Sequence, residues 1–199
     1  MKNKHIAALT GGISTGKTTI SKYFQTEFGF YIIDADKVGH EILGYPRVIS
    51  AIVEEFGNFI VKKGHIDRKV LGSVVFNDPL KLKKLNTITH PVLIDRSLEI
   101  IGTLHNKPII FEAAVLVEAG WEKYFNTVIL STCSIDIQIH RTMTRNSLSK
   151  VEARQRIETQ ISDSERRKYA DFIVDTSYGL EPVCEKLNKI AQTLLRKTR

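Results

Sequence analysis

Short runs of apolar residues recur along the chain, each bounded by glycine, proline or charged residues. They lie at residues 6–9, 30–33, 109–111, 127–130 and 172–174. Short apolar runs between turn signals are typical of strands that are buried on both faces, and stretches with helical periodicity separate them here. This alternation predicts an α/β fold in which helices cover a parallel sheet.

The stretch from residue 37 to residue 107 interrupts the alternation, because it contains no convincing strand. Helix-start signals recur in it, at Pro46, Asp67, Asp78-Pro79 and Pro91. The helix that begins at Pro91 is expected to run to Leu104. We therefore predict a helical insertion, residues 37–107, within a core formed by residues 1–36 and 108–199.

A second helical stretch, residues 134–169, is rich in Lys and Arg. Arg141 and Arg145 are four residues apart, so they share one face of a helix. Arginines on a segment that closes over a site can stabilise a transferring phosphoryl group and exclude water. We expect residues 142–168 to form such a lid; a solvated basic hairpin is the alternative interpretation.

Composition indicates which binding partners suit the chain and excludes several classes of protein. The 199 residues carry 29 Lys and Arg against 22 Asp and Glu, a net charge of +7, which suits nucleic acid, an anionic membrane or a small polyanionic substrate. Two isolated cysteines, Cys133 and Cys184, argue against a disulfide framework or a thiolate zinc site. The first apolar run is too short for a signal peptide, and no stretch approaches a membrane span. We expect a soluble, cytoplasmic protein that does not bind membranes.

One loop concentrates the candidate chemistry. The segment GGISTGKT, residues 11–18, matches GxxxxGK[ST] between a predicted strand and a predicted helix. Its glycines allow main-chain N–H groups to surround a phosphate, Lys17 would neutralise the β and γ oxygens, and the Thr18 hydroxyl would hold Mg²⁺. The predicted nucleotide site comprises Gly11, Gly12, Ile13, Ser14, Thr15, Gly16, Lys17, Thr18 and Thr19.

Carboxylates follow the next two predicted strands. Asp34 and Asp36 end the second strand, and a spacing of two places them on one face of an extended chain. Such a carboxylate could accept a hydroxyl proton or help to position Mg²⁺, although Asp is also common in strand-end turns. Glu112 ends the third strand, where it could orient Mg²⁺ through water or be a surface acid.

These residues resemble the dephospho-CoA kinase family. The resemblance includes the loop at residues 9–19 and the Asp34-Ala35-Asp36 triplet followed by His40. It continues through His90-Pro91, Arg141, Arg145, and Arg156 with Gln160. The double glycine and the Asp-Ala-Asp triplet with its histidine are more specific than the phosphate loop alone.

The resemblance implies a three-layer P-loop kinase core with a five-stranded parallel sheet, a helical CoA-binding insertion and a lid. It implies transfer of the ATP γ-phosphate to the ribose 3′-hydroxyl of dephospho-CoA, with Mg²⁺, in the last step of coenzyme A synthesis. Asp36 then corresponds to the general base, and Arg141 to an arginine that reaches the phosphates, with Arg145 beside it. Asp34, His40 and His90 belong to the acceptor side.

The chain departs from the family pattern at two positions. Glu112 begins Glu-Ala-Ala-Val-Leu, where many bacterial members have Asp-x-Pro-Leu-Leu, and Asp175-Thr176 stands where an asparagine is usual. Two alternatives stay open at the level of sequence. One is a kinase with another acceptor, a nucleoside, a nucleotide or shikimate; the other is a nucleic-acid-binding NTPase, suggested by the positive charge. The resemblance favours the small-molecule acceptor and no nucleic acid.

Overall fold

The structure, a computed structural model, describes residues 5–105 and 107–198. The predicted domain ranges begin at Met1 and end at Arg199; these two residues, residues 2–4 and Asn106 lie outside the described part. The strands are β1 (Ile6–Gly11), β2 (Tyr31–Asp34), β3 (Val61–Lys62), β4 (His65–Ile66), β5 (Ile109–Glu112), β6 (Thr127–Thr132) and β7 (Phe172–Asp175). The helices are α1 (Lys17–Phe28), α2 (Ala35–Ile42), α3 (Pro46–Phe56), α4 (Arg68–Val75), α5 (Pro79–Thr103), α6 (Ile135–Asn146), α7 (Lys150–Glu158), α8 (Asp163–Arg167) and α9 (Leu180–Thr198).

Five strands form a parallel sheet in the order β2-β5-β1-β6-β7. Both β1 and β6 are buried at every residue, which explains the apolar runs at residues 6–9 and 128–130 within them. The predicted α/β fold with a five-stranded parallel sheet is confirmed. Because β1 lies at the centre, the loop that follows it emerges at the middle of the carboxyl edge of the sheet, where α/β folds bind ligands.

The described chain divides into two compact units. The first comprises the residues up to Ile33 and from His105 onward, and the second is Asp34–Leu104. The predicted boundaries of the insertion lie three residues further along the chain at each end. In the first unit, helices α1 and α9 pack on one face of the sheet through a buried apolar cluster that includes Phe24, Ile129 and Leu187.

The second unit contains α2 to α5, and α2, α3 and α4 pack against α5. Its core includes Ile52, Ile60 and Leu71. The prediction that residues 37–107 contain no strand is wrong in one place, since β3 and β4 pair as an antiparallel hairpin. Lys63 and Gly64 turn the hairpin with φ of 52° and 80°, as a type I′ turn requires. Strands of two residues are too short to show alternation, so the sequence pattern does not reveal them.

The prediction that a helix begins at Pro91 is also wrong. A single 25-residue helix, α5, contains Pro91 in its interior, and it starts where the side chain of Asp78 accepts the N–H groups of Leu80 and Lys81. An interior proline costs a helix about 3 kcal/mol because a hydrogen bond is lost and the ring clashes with the preceding turn. Packing along α5 by three neighbouring helices outweighs this local cost.

Within the described residues, no helix combines the length and apolar character needed to cross a membrane.

Candidate functional site

The loop between β1 and α1 has the conformation that its glycines permit. Gly11 and Gly16 have φ of 151° and 95°, in the region that favours glycine, and Gly16 is the N-cap of α1. A Cβ atom at Gly11 would collide with the carbonyl of Ser131, and one at Gly16 would lie 3.1 Å from Thr176. Ser14 has a φ of 58°, which costs a residue with a side chain about 1 kcal/mol or more. The main chain is therefore bent tightly and packed closely against β6 and the segment after β7.

Side chains from outside the loop hold it at Thr15. The Thr15 carbonyl accepts hydrogen bonds from the hydroxyls of Ser131, on β6, and of Thr176, after β7. Within the loop, the Thr15 hydroxyl donates to the carbonyl of Gly12 at 2.9 Å. Both Thr15 and Ser131 are fully buried. This anchoring keeps the N-terminal turn of α1 in place without using the N–H groups that a phosphate needs.

Positive charge is concentrated at the start of α1. The Lys17 ammonium group lies across the loop and donates to the carbonyls of Gly11 and Gly12, at 2.7 and 2.8 Å. The partial positive charge of the helix N-terminus adds to that of the ammonium group. Main-chain N–H groups at a helix N-terminus bind phosphate oxygens, so this arrangement is suited to a phosphate chain.

Glu112, at the end of β5, faces the same turn of α1. One carboxylate oxygen accepts the hydroxyl of Ser21, and the other lies 3.5 Å from the hydroxyl of Thr18. Oxygen donors of this kind suit Mg²⁺, which commonly combines one or two protein ligands with water and substrate phosphates. Among the described residues, no group of three or more His, Cys, Asp and Glu side chains could hold a metal. Thr18 and Glu112 therefore fit a metal that is carried mainly by phosphates.

Arg141, on α6, contacts the loop through one intermediate residue. Its guanidinium group donates to the hydroxyl and the carbonyl of Thr176, at 2.8 and 2.9 Å, and the Thr176 hydroxyl in turn donates to Thr15. Arg145 is exposed one turn further along α6. Thr176 thus connects the arginine to the phosphate loop.

Asp34 and Asp36 do not lie on one face of an extended chain, so that expectation is wrong. The strand ends at Asp34, whose carboxylate accepts the N–H groups of Asp36 and Lys37 at 2.9 and 3.2 Å and so caps α2. An aspartate before a helix is a strong N-cap, and this local preference ends the extended conformation. Asp34 is thus occupied by the main chain, whereas Asp36 is exposed in the first turn of α2.

The two predicted histidines lie on different helices of the second unit. His40 is exposed on α2 and lines a cavity of about 630 Å³. Leu43, Leu71 and Val75 contribute apolar side chains to the same cavity, together with Arg68 and Lys69. His40 is the only predicted site residue among the described residues that line it.

His90 is half-buried on α5. Burial lowers the pKa of its imidazole below the ordinary value. The side chain is therefore neutral at neutral pH, in which state one ring nitrogen donates and the other accepts a hydrogen bond.

The structure brings together the loop at residues 11–19, Glu112 and Arg141 in the first unit. It also reveals residues that the motif analysis did not assign. Gln138 donates to the carbonyl of Ile13 at 2.8 Å, and Gln160 accepts the N–H of Ile13 at 2.7 Å. Neither glutamine forms part of a local motif with the loop, because they follow it by more than 120 residues. Only the fold makes them neighbours of the loop.

Comparison of the chain with known proteins points to one family. The family model described as dephospho-CoA kinase matches residues 5–181. Dephospho-CoA kinases from Fusobacterium nucleatum and Dehalococcoides mccartyi are 36% and 38% identical to this chain, over 95% and 96% of it and 98% of each relative. The solved structure of dephospho-CoA kinase from Campylobacter jejuni is 30% identical, with a TM-score of 0.73 over 99% of this chain and 100% of that one.

Proposed function

The chain belongs to the dephospho-CoA kinase family, and from this premise we propose how its own residues transfer the γ-phosphate of ATP to dephospho-CoA. The reaction is the ATP-dependent phosphorylation of dephospho-CoA in coenzyme A biosynthesis, with ADP as the other product. The roles that we propose for individual residues depend on the conformation of the loop between β1 and α1. There Gly16 starts the helix in the left-handed region and Lys17 follows it.

Residues 11–19 bind the triphosphate of ATP. Main-chain N–H groups at the start of α1 donate to phosphate oxygens, and the helix dipole favours their negative charge. Lys17 exchanges its two carbonyl acceptors in the loop for the β and γ oxygens. Its charge then stabilises the transferring group, where negative charge is spread over three oxygens.

Thr18 and Glu112 hold Mg²⁺ beside the triphosphate. The metal ion, when bound, neutralises charge on the β and γ oxygens. The exposed hydroxyl of Thr18 and its 3.5 Å approach to Glu112 support this assignment. Ser21 donates to the second oxygen of Glu112 and so fixes the orientation of the carboxylate.

Asp36 acts as the general base on the acceptor. It takes the proton of the ribose 3′-hydroxyl as that oxygen bonds to the γ-phosphorus, while the bond to the β–γ bridging oxygen breaks and ADP leaves. Two observations support Asp36 over Asp34. The carboxylate of Asp36 is exposed, whereas Asp34 uses Oδ1 as the N-cap of α2 and has Oδ2 at 3.8 Å from the Lys37 ammonium group.

The helical insertion, residues 37–107, binds the remainder of dephospho-CoA, with His40 and His90 on the acceptor side. The cavity lined by His40 supports this role, because its apolar side chains suit the pantetheine arm and Arg68 and Lys69 suit the pyrophosphate. Arg141 and Arg145 act on the phosphates of ATP, and residues 142–168 close over them as a lid.

The decisive experiment measures ADP release from ATP and Mg²⁺ with a panel of acceptors: dephospho-CoA, adenosine, AMP, uridine and shikimate. We expect rapid turnover with dephospho-CoA and little with AMP, which has the ribose but lacks the pantetheine arm. Equal turnover with AMP would contradict the role of the insertion. Preference for shikimate or a nucleoside would contradict the assignment of the acceptor.

The proposal includes a cytoplasmic location and no nucleic-acid partner. Two cysteines that form no disulfide, Cys133 and Cys184, are typical of a reducing compartment. The net charge of +7 serves a substrate that carries a pyrophosphate. Oligonucleotide binding that is tight and falls steeply with salt would contradict this part of the proposal.

A further inference from the structure

Two side-chain amides hold both polar main-chain groups of Ile13, in the phosphate loop. Gln160 Oε1 accepts the N–H of Ile13 at 2.7 Å, and Gln138 Nε2 donates to its carbonyl at 2.8 Å. Each amide can be oriented in only one way, because an N–H group cannot accept and a carbonyl cannot donate. We refer to Gln138 and Gln160 together as the amide clamp.

The amide clamp explains why residue 12 is glycine. Gly12 is not one of the glycines with a positive φ, so its backbone conformation does not require glycine. A Cβ atom at this position would lie 2.8 Å from Gln138 Nε2 and 3.5 Å from Gln160 Oε1. The space beside Gly12 is thus filled by the two amides. The double glycine serves two needs: backbone freedom at Gly11, and access for the clamp at Gly12.

Gln160 is presented to the loop by a turn that is itself held in place. The turn joins α7 to α8, and the buried side chain of Arg166 donates to the carbonyl of Ile161 at 2.8 Å. The same guanidinium group forms an ion pair with Glu118, at 2.6 Å, in the segment after β5. Gln160 therefore approaches Ile13 from a turn that a buried ion pair ties to the core of the first unit.

The peptide that the clamp holds precedes the strained residue of the loop. Ser14 follows Ile13 directly and has the positive φ described above. Without restraint, the φ of Ser14 would return to a negative value. The N–H groups at the start of α1 would then no longer point to one phosphate position. Fixing both polar groups of Ile13 leaves Ser14 little freedom to relax.

We propose that Gln138 and Gln160 are positioning residues that hold the loop ready to bind the triphosphate. Through Gln160, the loop keeps this conformation only while the turn between α7 and α8 is docked against it. The inference rests on the proposed function only in taking the loop as the triphosphate site. It adds a link between that loop and residues 142–168, the proposed lid.

Two substitutions that add the same charge distinguish the loss of a hydrogen bond to Ile13 from the effect of the charge itself. Q160E keeps an oxygen that accepts the N–H of Ile13, whereas Q138E replaces the amide that donates to the Ile13 carbonyl with a second acceptor. Both add one negative charge near the loop. We expect the KM for ATP to rise about tenfold or more in Q138E, as for an unsatisfied buried polar group, and clearly less in Q160E. The KM for dephospho-CoA should be unchanged in both, since the clamp does not touch the acceptor.

The matched control is Q192E, the same substitution at an exposed position of α9, which should behave like the wild type. If the KM for ATP rises equally in Q138E and Q160E, the effect is due to charge and the clamp is contradicted. An unchanged KM for ATP in Q138E would also contradict the clamp. Binding of ATP, measured by calorimetry, gives the same comparison without turnover. It therefore tests the clamp even if the acceptor panel fails.

Thermal unfolding of each variant distinguishes a folding defect from a binding defect. Q138M, which removes the donor without adding charge, carries the same expectation as Q138E if the latter does not fold.

Gly12→Ala provides the second test. It should weaken ATP binding in the wild type and add little in a Q138A background, where the space beside Gly12 is open. Additive effects in this cycle would contradict the contact on which the inference depends.

Discussion

Asp34 and Asp36 are two positions apart and differ in what their carboxylates contact. The first is bound to main-chain N–H groups at the start of α2, and the second is exposed in the first turn of the helix. A base must be able to approach the proton that it removes, and this difference in exposure is why we propose Asp36 for that role. Lys17 is likewise available for a ligand, because phosphate oxygens can replace the two loop carbonyls to which it donates.

Asp36→Asn should lower kcat by about 10²–10⁴-fold, the usual contribution of a general base, with the KM for ATP near the wild-type value. The amide keeps the size of the side chain but cannot take a proton. Steady-state kinetics with varied ATP and varied dephospho-CoA tests this. Asp95→Asn, at an exposed position of α5, is the matched control for loss of one negative charge. A wild-type kcat in Asp36→Asn would remove Asp36 from the role of base.

His90 should make the stability of the protein depend on pH below about 6.5. Burial lowers its pKa in the folded state, so between that lowered pKa and the ordinary value the unfolded chain binds a proton that the folded chain does not. Stability from this group is therefore present at higher pH and is lost as the pH falls. His5 is affected in the same direction by burial. His90→Asn should reduce the loss of stability between pH 7.5 and 5.5, measured by urea unfolding, and an unchanged slope would contradict this.

At the scale of elements, α5 shows how packing overrides a local signal. Asp78 and Pro79 begin the helix as their sequence predicts, yet Pro91 fails to end it. Other helices contact α5 on both sides of that proline, α3 at Lys84 through Glu55 and α2 at Arg96 through Glu41. A local preference therefore sets the start of α5, and tertiary contacts carry the helix through Pro91.

Pro91→Ala should stabilise the protein by about 1–3 kcal/mol, because it restores the hydrogen bond to the carbonyl of Thr87 and removes the clash of the ring. Urea unfolding of the variant measures the change. Gly102→Ala, at an exposed position of the same helix, is the comparison: it improves helix propensity by about 1 kcal/mol without adding a hydrogen bond. A loss of stability in Pro91→Ala would show that the packing of α5 requires the geometry that the proline imposes.

At the scale of the whole first unit, Arg166 joins segments that are far apart in sequence. It is 1% exposed, and it pairs with Glu118 and with Asp163 on α8. A buried charge of this kind is tolerated only with partners, and removal of one partner leaves the other uncompensated. Arg166 therefore determines where α8 and the turn before it sit against the sheet.

Arg166→Met should lower the free energy of unfolding by about 1–3 kcal/mol, since it leaves the Glu118 carboxylate, which is 23% exposed, without its cation. The matched control is Arg167→Met, because Arg167 is the exposed neighbour on α8 and its loss should change stability by less than about 0.5 kcal/mol. Denaturant titrations of both variants give the comparison. Equal stability of the two variants would show that the ion pair contributes nothing beyond packing.

The sequence by itself determined the features that depend on near neighbours in the chain. The loop at residues 11–18 requires a strand, then glycines, then the start of a helix. Each of these three features depends on residues that are close together in the sequence. The apolar runs identified the five core strands for the same reason, since each run consists of neighbouring residues. Burial is complete in β1 and β6 and partial in β2 and β7. The helix starts at Asp67 and Asp78 followed from the preference of aspartate for N-caps.

Only the tertiary structure decided which distant residues meet. Gln138, Gln160 and Thr176 contact the loop through hydrogen bonds to main-chain atoms of Ile13 and Thr15, and the side chains of those two residues do not indicate the partners. The continuation of α5 through Pro91 likewise arises where a local preference competes with packing. Such a competition is settled by the free energy of packing the whole chain, which no single segment contains.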